Sequence, residues 1–117
     1  MRISFNGYQS VLKTLFREGK LPKGLRGIYG DVLTQNNLSL EHIIPKSKGG
    51  RTELCNLALA SKRMNTRRGS RPIQYFLSME MVDSYCKQFE GLQIGKFNGH
   101  RYIDMLKQTV SKILGGK

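Results

Sequence analysis

At 117 residues the chain is long enough for one modest hydrophobic core, and its 20 Lys and Arg against 8 Asp and Glu give a formal net charge of +12. With 38% hydrophobic residues, 13 Gly and 3 Pro, the composition excludes fibrous and disordered classes. No apolar run approaches the roughly 18 residues of a membrane span, and no apolar segment follows Arg2 as a secretory signal requires.

The charge bears on partners rather than on fold, and it favours a polyanion such as nucleic acid over a membrane surface. An intracellular, cytoplasmic location is expected. The only cysteines, Cys55 and Cys86, are far apart and form no CxxC pair. That rules out a disulfide framework and a four-cysteine zinc site, and two free buried thiols are expected in preference to a single disulfide.

In chain order, "YQSVLKTLFRE" (residues 8–18) places Val11, Leu12, Leu15 and Phe16 on one helical face, with Gly19 as the stop. "GKLPKGLRGIYG" is broken by Pro22, Gly24, Gly27 and Gly30, and predicts a basic loop leading into a strand. Ile28 to Leu33 and Leu38 to His42 are expected to pair as a hairpin around the turn "TQNN". A polar, glycine-bearing loop follows from Pro45 to Glu53. "CNLALA" (residues 55–60) is a further short strand, and Ser61 is a good N-cap for a helix "KRMNTRR" closed by Gly69.

Beyond Pro72, "IQYFLSMEMVDSYCKQF" predicts a helix with Tyr75, Phe76, Met79 and Val82 on one face. "RYIDMLKQTVSKIL" predicts another, with Ile103, Leu106, Val110 and Ile113 or Leu114 facing inward. The glycine-rich connection between them leaves room for a short extended piece. "FNGYQSVLKTL" and "FNGHRYIDMLK" echo each other, more simply explained as an apolar staple and a capping asparagine before a helix than as a duplication.

Charge is concentrated where the chemistry-bearing residues lie. Residues 41–70 hold seven Lys or Arg (Lys46, Lys48, Arg51, Lys62, Arg63, Arg67 and Arg68) against Glu41 and Glu53, a net +5 in thirty residues. These seven are the candidate phosphate contacts, which give affinity and register without sequence choice. Glu41 and His42 end one predicted strand, Asn56 opens the next, and Asn65 sits in the following helix. Alone, a histidine in a strand is an ordinary surface or satisfied residue, and Asn56 is an ordinary turn or cap residue. His100 has no motif around it.

In order and spacing, "EHIIPKSKGGRTELCNLALASKRMNTRRG" resembles the core of the HNH endonucleases: acid-His-Ile-x-Pro, a Gly-Gly loop, Asn-Leu, then Asn-x-x-basic-Gly. The steps of fourteen residues from His42 to Asn56 and nine to Asn65 are also similar to the HNH domain of RNA-guided CRISPR nucleases. The resemblance is dense from Leu38 to Gly69 and looser back to Leu25. It implies an α+β fold with a ββα-metal (HNH, His-Me finger) core at 25–70 in a single domain. An N-terminal helix and basic loop (1–24) and C-terminal helices (71–117) would flank and support it.

The same resemblance implies a divalent-metal-dependent DNA endonuclease leaving 5′-phosphate and 3′-hydroxyl ends. His42 would be the general base, since an imidazole has an ordinary pKa near 6.5. Glu41 and Asn65 would be ligands for a hard ion, Mg²⁺, with Mn²⁺ or another divalent metal able to substitute. Asn56 would serve catalysis indirectly, bracing the loop and orienting the histidine.

Two departures from the family pattern stand out. Glu41 occupies a position where many members have Asp, and the CxxC pairs that hold a structural zinc in many members are missing, so no structural zinc is expected. A compact chain of this kind suits a phage or mobile-element origin. The alternative is a basic DNA-binding protein on an HNH core that cuts nothing, or cuts only with a partner. A homodimer and recruitment to a larger DNA-processing complex both remain open.

Overall fold

A computed structural model describes the backbone of residues 5–115, and the side chains of residues 11–115. It is a mixed α/β structure built from a two-stranded hairpin and helices. Helix α1 (Phe5–Arg17) buries Leu12 and Leu15, with Val11 and Phe16 packed at the edge of the core. It stops where Gly19 turns left-handed at φ +70 and the Lys20 N–H closes on Leu15 O at 2.9 Å. The capping expected of the first Phe-Asn-Gly falls on side chains outside the described residues. In the second, Asn98 accepts from the Arg101 N–H at 2.8 Å and opens the helix Gly99–Val110.

The central sheet is β1 (Leu38–His42) against β2 (Leu57–Ser61), antiparallel, with Leu38 opposite Ser61 and His42 opposite Leu57. This corrects the expected hairpin. Residues 28–33 do not pair with β1; their one bridge joins Arg26 to Val32. They run along the far edge of β2 instead, where the Ile28 N–H donates to Leu59 O at 2.9 Å. The Ser61 N–H donates to Asp31 Oδ2 at 2.5 Å on the same edge.

All five residues of β2 are buried, which explains the unbroken "LALAS". Its remaining edge groups are met by two buried tyrosines. The Leu59 N–H donates to the Tyr85 hydroxyl at 3.0 Å, the Tyr102 hydroxyl donates to Leu57 O at 2.8 Å, and the two hydroxyls lie 2.8 Å apart. An edge that would otherwise expose unpaired backbone is thereby sealed. The tyrosines come from α3 (Met79–Lys87) and α4 (Gly99–Val110), where Phe89 and Phe97 complete an aromatic cluster with ring centroids 5.0–6.4 Å apart. Helix α2 (Lys62–Arg68) follows β2 directly; Ser61 caps it by accepting from the Met64 N–H at 3.2 Å.

Helix α3 is shorter than expected. Ile73–Tyr75 form only a 3₁₀ turn, and the helix starts after Ser78, which accepts from the Met81 N–H. Tyr75, expected on the buried face, is 78% exposed; Val82, also expected there, is buried, and Tyr85 and Cys86 join it on the inward side. Between α3 and α4 a minimal hairpin pairs β3 (Gln93–Ile94) with β4 (Phe97–Asn98). In α4 the expected residues Ile103, Leu106 and Val110 are buried, with Ile113 and Leu114 packed beside them. Both cysteines are free. Among the described residues no helix is long and apolar enough to cross a membrane.

Candidate active site

The hairpin places His42 at the end of β1, where the chain leaves the sheet into a fourteen-residue excursion that returns at β2. Two devices hold that excursion. Asn56, 4% exposed, acts as a clamp: its Oδ1 accepts from the Ile44 N–H at 2.8 Å, and its Nδ2 donates to Ile44 O at 3.0 Å and Arg51 O at 2.9 Å. The Ile43 N–H adds a bond to Asn56 O at 2.9 Å. At the tip, Gly49 takes φ +86, while a Cβ on Gly50 would lie 1.7 Å from Ile44 O. The paired glycines thus answer two different needs, a left-handed turn and a close backbone approach.

His42 is half-buried, and its Nε2 lies 3.1 Å from the Thr52 hydroxyl. Loss of hydration lowers its pKa below the ordinary 6.5, and the nearby charges of Lys46 and Arg68 push the same way. The ring is therefore neutral at neutral pH. With Nε2 taken by Thr52, Nδ1 is the nitrogen without a protein partner among the described residues.

Glu41 lies inside, 2% exposed, with each carboxylate oxygen held. The Tyr29 hydroxyl donates to Oε2 at 2.5 Å, and Arg68 Nη1 lies 3.4 Å from Oε1. Burial raises the pKa of Glu41, and the bonds from Tyr29 and Arg68 oppose that rise. Burial and the adjacent carboxylate also drive the Tyr29 phenol far above its ordinary range, so it stays a donor.

Asn65 projects from α2 towards β1. Its Nδ2 donates to Ser39 Oγ at 2.8 Å and to Leu40 O, in the peptide leading into Glu41, at 2.9 Å. This fixes the amide with Oδ1 as its free end, since no donor among the described residues reaches it. The donor set of one carboxylate and one amide oxygen has the chemistry of a hard-cation site. Among the described residues no three His, Cys, Asp or Glu side chains cluster.

Six of the seven candidate phosphate contacts are exposed: Lys46, Lys48 and Arg51 on the loop, Lys62, Arg63 and Arg67 on α2. Arg51 has Glu53 as a loose partner at 3.8 Å. Arg68 departs from that expectation. It is 1% exposed, and besides meeting Glu41 its guanidinium donates to His42 O at 2.7 Å, Ile43 O at 2.9 Å and Arg71 O at 2.9 Å. It faces inward because, three residues after Asn65, it shares that residue's side of the helix. Such a side chain braces the site and offers nothing to a phosphate at the surface.

Tyr29, Thr52 and Arg71 were not singled out from the sequence. Arg71 is exposed, packs over the Phe76 ring at 4.9 Å and donates to Arg67 O and Arg68 O at the end of α2. A groove of about 380 Å³ runs beside the loop, between Ile43–Pro45, Lys48 and Pro72–Gln74. The larger cavity, about 490 Å³ between residues 26–30 and α3, is lined by none of the candidate site residues.

Comparison with known families finds that residues 29–71 match the HNH endonuclease family model. That stretch, similar to the HNH endonucleases, contains Tyr29, the hairpin, the loop and α2. Searches of curated proteins and of solved structures gave no match.

Proposed function

We propose that this protein is a divalent-metal-dependent endonuclease that hydrolyses DNA phosphodiester bonds, leaving 5′-phosphate and 3′-hydroxyl ends, on a ββα-metal core. The observation that carries the reading is the placement of His42: a neutral imidazole with one nitrogen anchored on Thr52 and the other without a partner among the described residues, at the end of a strand within a segment that matches the family model. In this reading Nε2–H donates to Thr52 and the Nδ1 lone pair takes the proton of the attacking water. Asn56 holds the loop so that the ring keeps its place. Glu41 and Asn65 would hold the ion, which would supply positive charge to the phosphoryl and leaving oxygens. The six exposed bases on the loop and α2 would meet the flanking phosphates, consistent with the +12 net charge.

A second reading, a basic DNA-binding protein that cuts nothing, has one observation in its favour: protein donors already occupy both oxygens of Glu41. The readings part on supercoiled plasmid incubated with Mg²⁺, with Mn²⁺ and with chelator. Metal-dependent nicked or linear product that a ligase can reseal supports the nuclease. Retarded but intact plasmid in every metal supports the second reading.

A further inference from the structure

Tyr29 lies nine residues before β1, outside the acid-His-Pro signature, yet its hydroxyl makes the shorter of the two contacts to Glu41, 2.5 Å against 3.4 Å for Arg68. A glutamate has three side-chain torsions, and a strand fixes none of them. Whatever decides where the Glu41 oxygens point must come from other elements. Arg68 comes from α2 and engages Oε1; Tyr29 comes from the turn before Asp31 and engages Oε2. The turn itself is pinned, since Ile28 and Asp31 on either side of Tyr29 bond to the edge of β2. The phenol is therefore a fixed donor rather than a mobile one.

Resting on the metal-nuclease reading above, we propose that Tyr29 is a positioning residue for the candidate metal site: by holding Oε2, with Arg68 on Oε1, it fixes the orientation in which the Glu41 carboxylate would offer its remaining lone pairs to an ion. In this role it acts only through Glu41. Outer partners of metal-binding carboxylates change metal affinity about 10–100-fold when removed, and that range is expected here.

The test is calorimetric titration of Mn²⁺ into wild type, Tyr29→Phe, Glu41→Gln and the double variant, with thermal unfolding of each as a control for folding. Tyr29→Phe should bind Mn²⁺ at least ~10-fold more weakly. In the Glu41→Gln background the same change should alter Mn²⁺ binding no further, because its route is already cut. Wild-type affinity in a folded Tyr29→Phe protein would overturn the proposal, and so would an equal loss with and without Glu41. If Tyr29→Phe fails to fold, Tyr29→His keeps a donor near the same place. Recovery of folding together with wild-type affinity would support positioning by a donor, and recovery of folding without affinity would overturn it. A wild-type protein that takes up no Mn²⁺ would remove the metal reading itself, and the role of Tyr29 with it.

Discussion

Arg68 and Glu41 form an ion pair inside the protein, Nη1 to Oε1 at 3.4 Å, with side chains 1% and 3% exposed. The other ion pairs among the described residues all lie at the surface. The same guanidinium reaches the backbone oxygens of His42 and Ile43, so one side chain fastens the acid, the histidine and the start of the loop together. Removing one partner of such a pair leaves a charge unpaired in the interior. Arg68→Ala is therefore predicted to cost about 3–5 kcal/mol, read from urea unfolding. Arg68→Lys should recover only part of the loss, because an ammonium cannot reproduce the planar fork. A change within about 0.5 kcal/mol, as at ordinary surface sites, would mean that the pair does not form.

Exposed bases should behave differently. Arg63→Gln with Arg67→Gln is expected to weaken DNA binding evenly across sequences and to make the slope of log K against log salt shallower by about 2. Anisotropy titrations at several salt concentrations measure this. An unchanged slope would take both residues out of the interface.

Burial and the charges of Lys46 and Arg68 depress the His42 pKa below 6.5, so the neutral form survives to lower pH than in a free imidazole. If the neutral ring is the base, cleavage should be flat through neutrality and fall as pH drops through a midpoint below 6.5. Removing one repelling charge by Lys46→Gln should move that midpoint upward, towards 6.5. Glu41 also titrates on the acid side, with its pKa raised, but Lys46 is not among the groups acting on it. Initial rates across a pH series, with both proteins at saturating metal, provide the check; a midpoint unmoved by Lys46→Gln would separate it from His42.

The seal on β2 predicts a stability effect remote from the chemistry. Tyr102→Phe removes the donor to Leu57 O and a partner of Tyr85, leaving a buried acceptor unmet. A loss of about 1–3 kcal/mol is expected, seen as a lower urea midpoint. No loss would mean that the tyrosine pair only fills space.

Much of the site's layout was legible in the sequence, because its parts are local. Ser61 before "KRMNTRR" and Gly69 after it mark α2 by capping chemistry, and the apolar spacing in α4 gives its buried face directly. What misled was long-range. "TQNN" is good turn material between two apolar runs, so adjacent pairing looked natural; the strand instead finds its partner across a fourteen-residue loop that Asn56 holds closed. Residues 28–33 were left to cover β2 from its other side. Tyr75 looked apolar and in phase, but Ser78, a good N-cap, starts the helix after it. Tyr29 and Thr52 carry no pattern, since each matters only through a side chain distant in sequence. Arg68 was legible in principle: its three-residue offset from Asn65 puts it on the inward side of the helix, while a basic run suggested the surface.

The most direct test of the account is to compare cleavage and binding in wild type and His42→Ala, on the same plasmid, with Mn²⁺ or Mg²⁺ present. Wild type should cut, the variant should not, and both should be folded and bind DNA alike. Cutting that survives His42→Ala would contradict the assignment of the base, and binding lost along with cutting would show that His42 serves the complex rather than the chemistry.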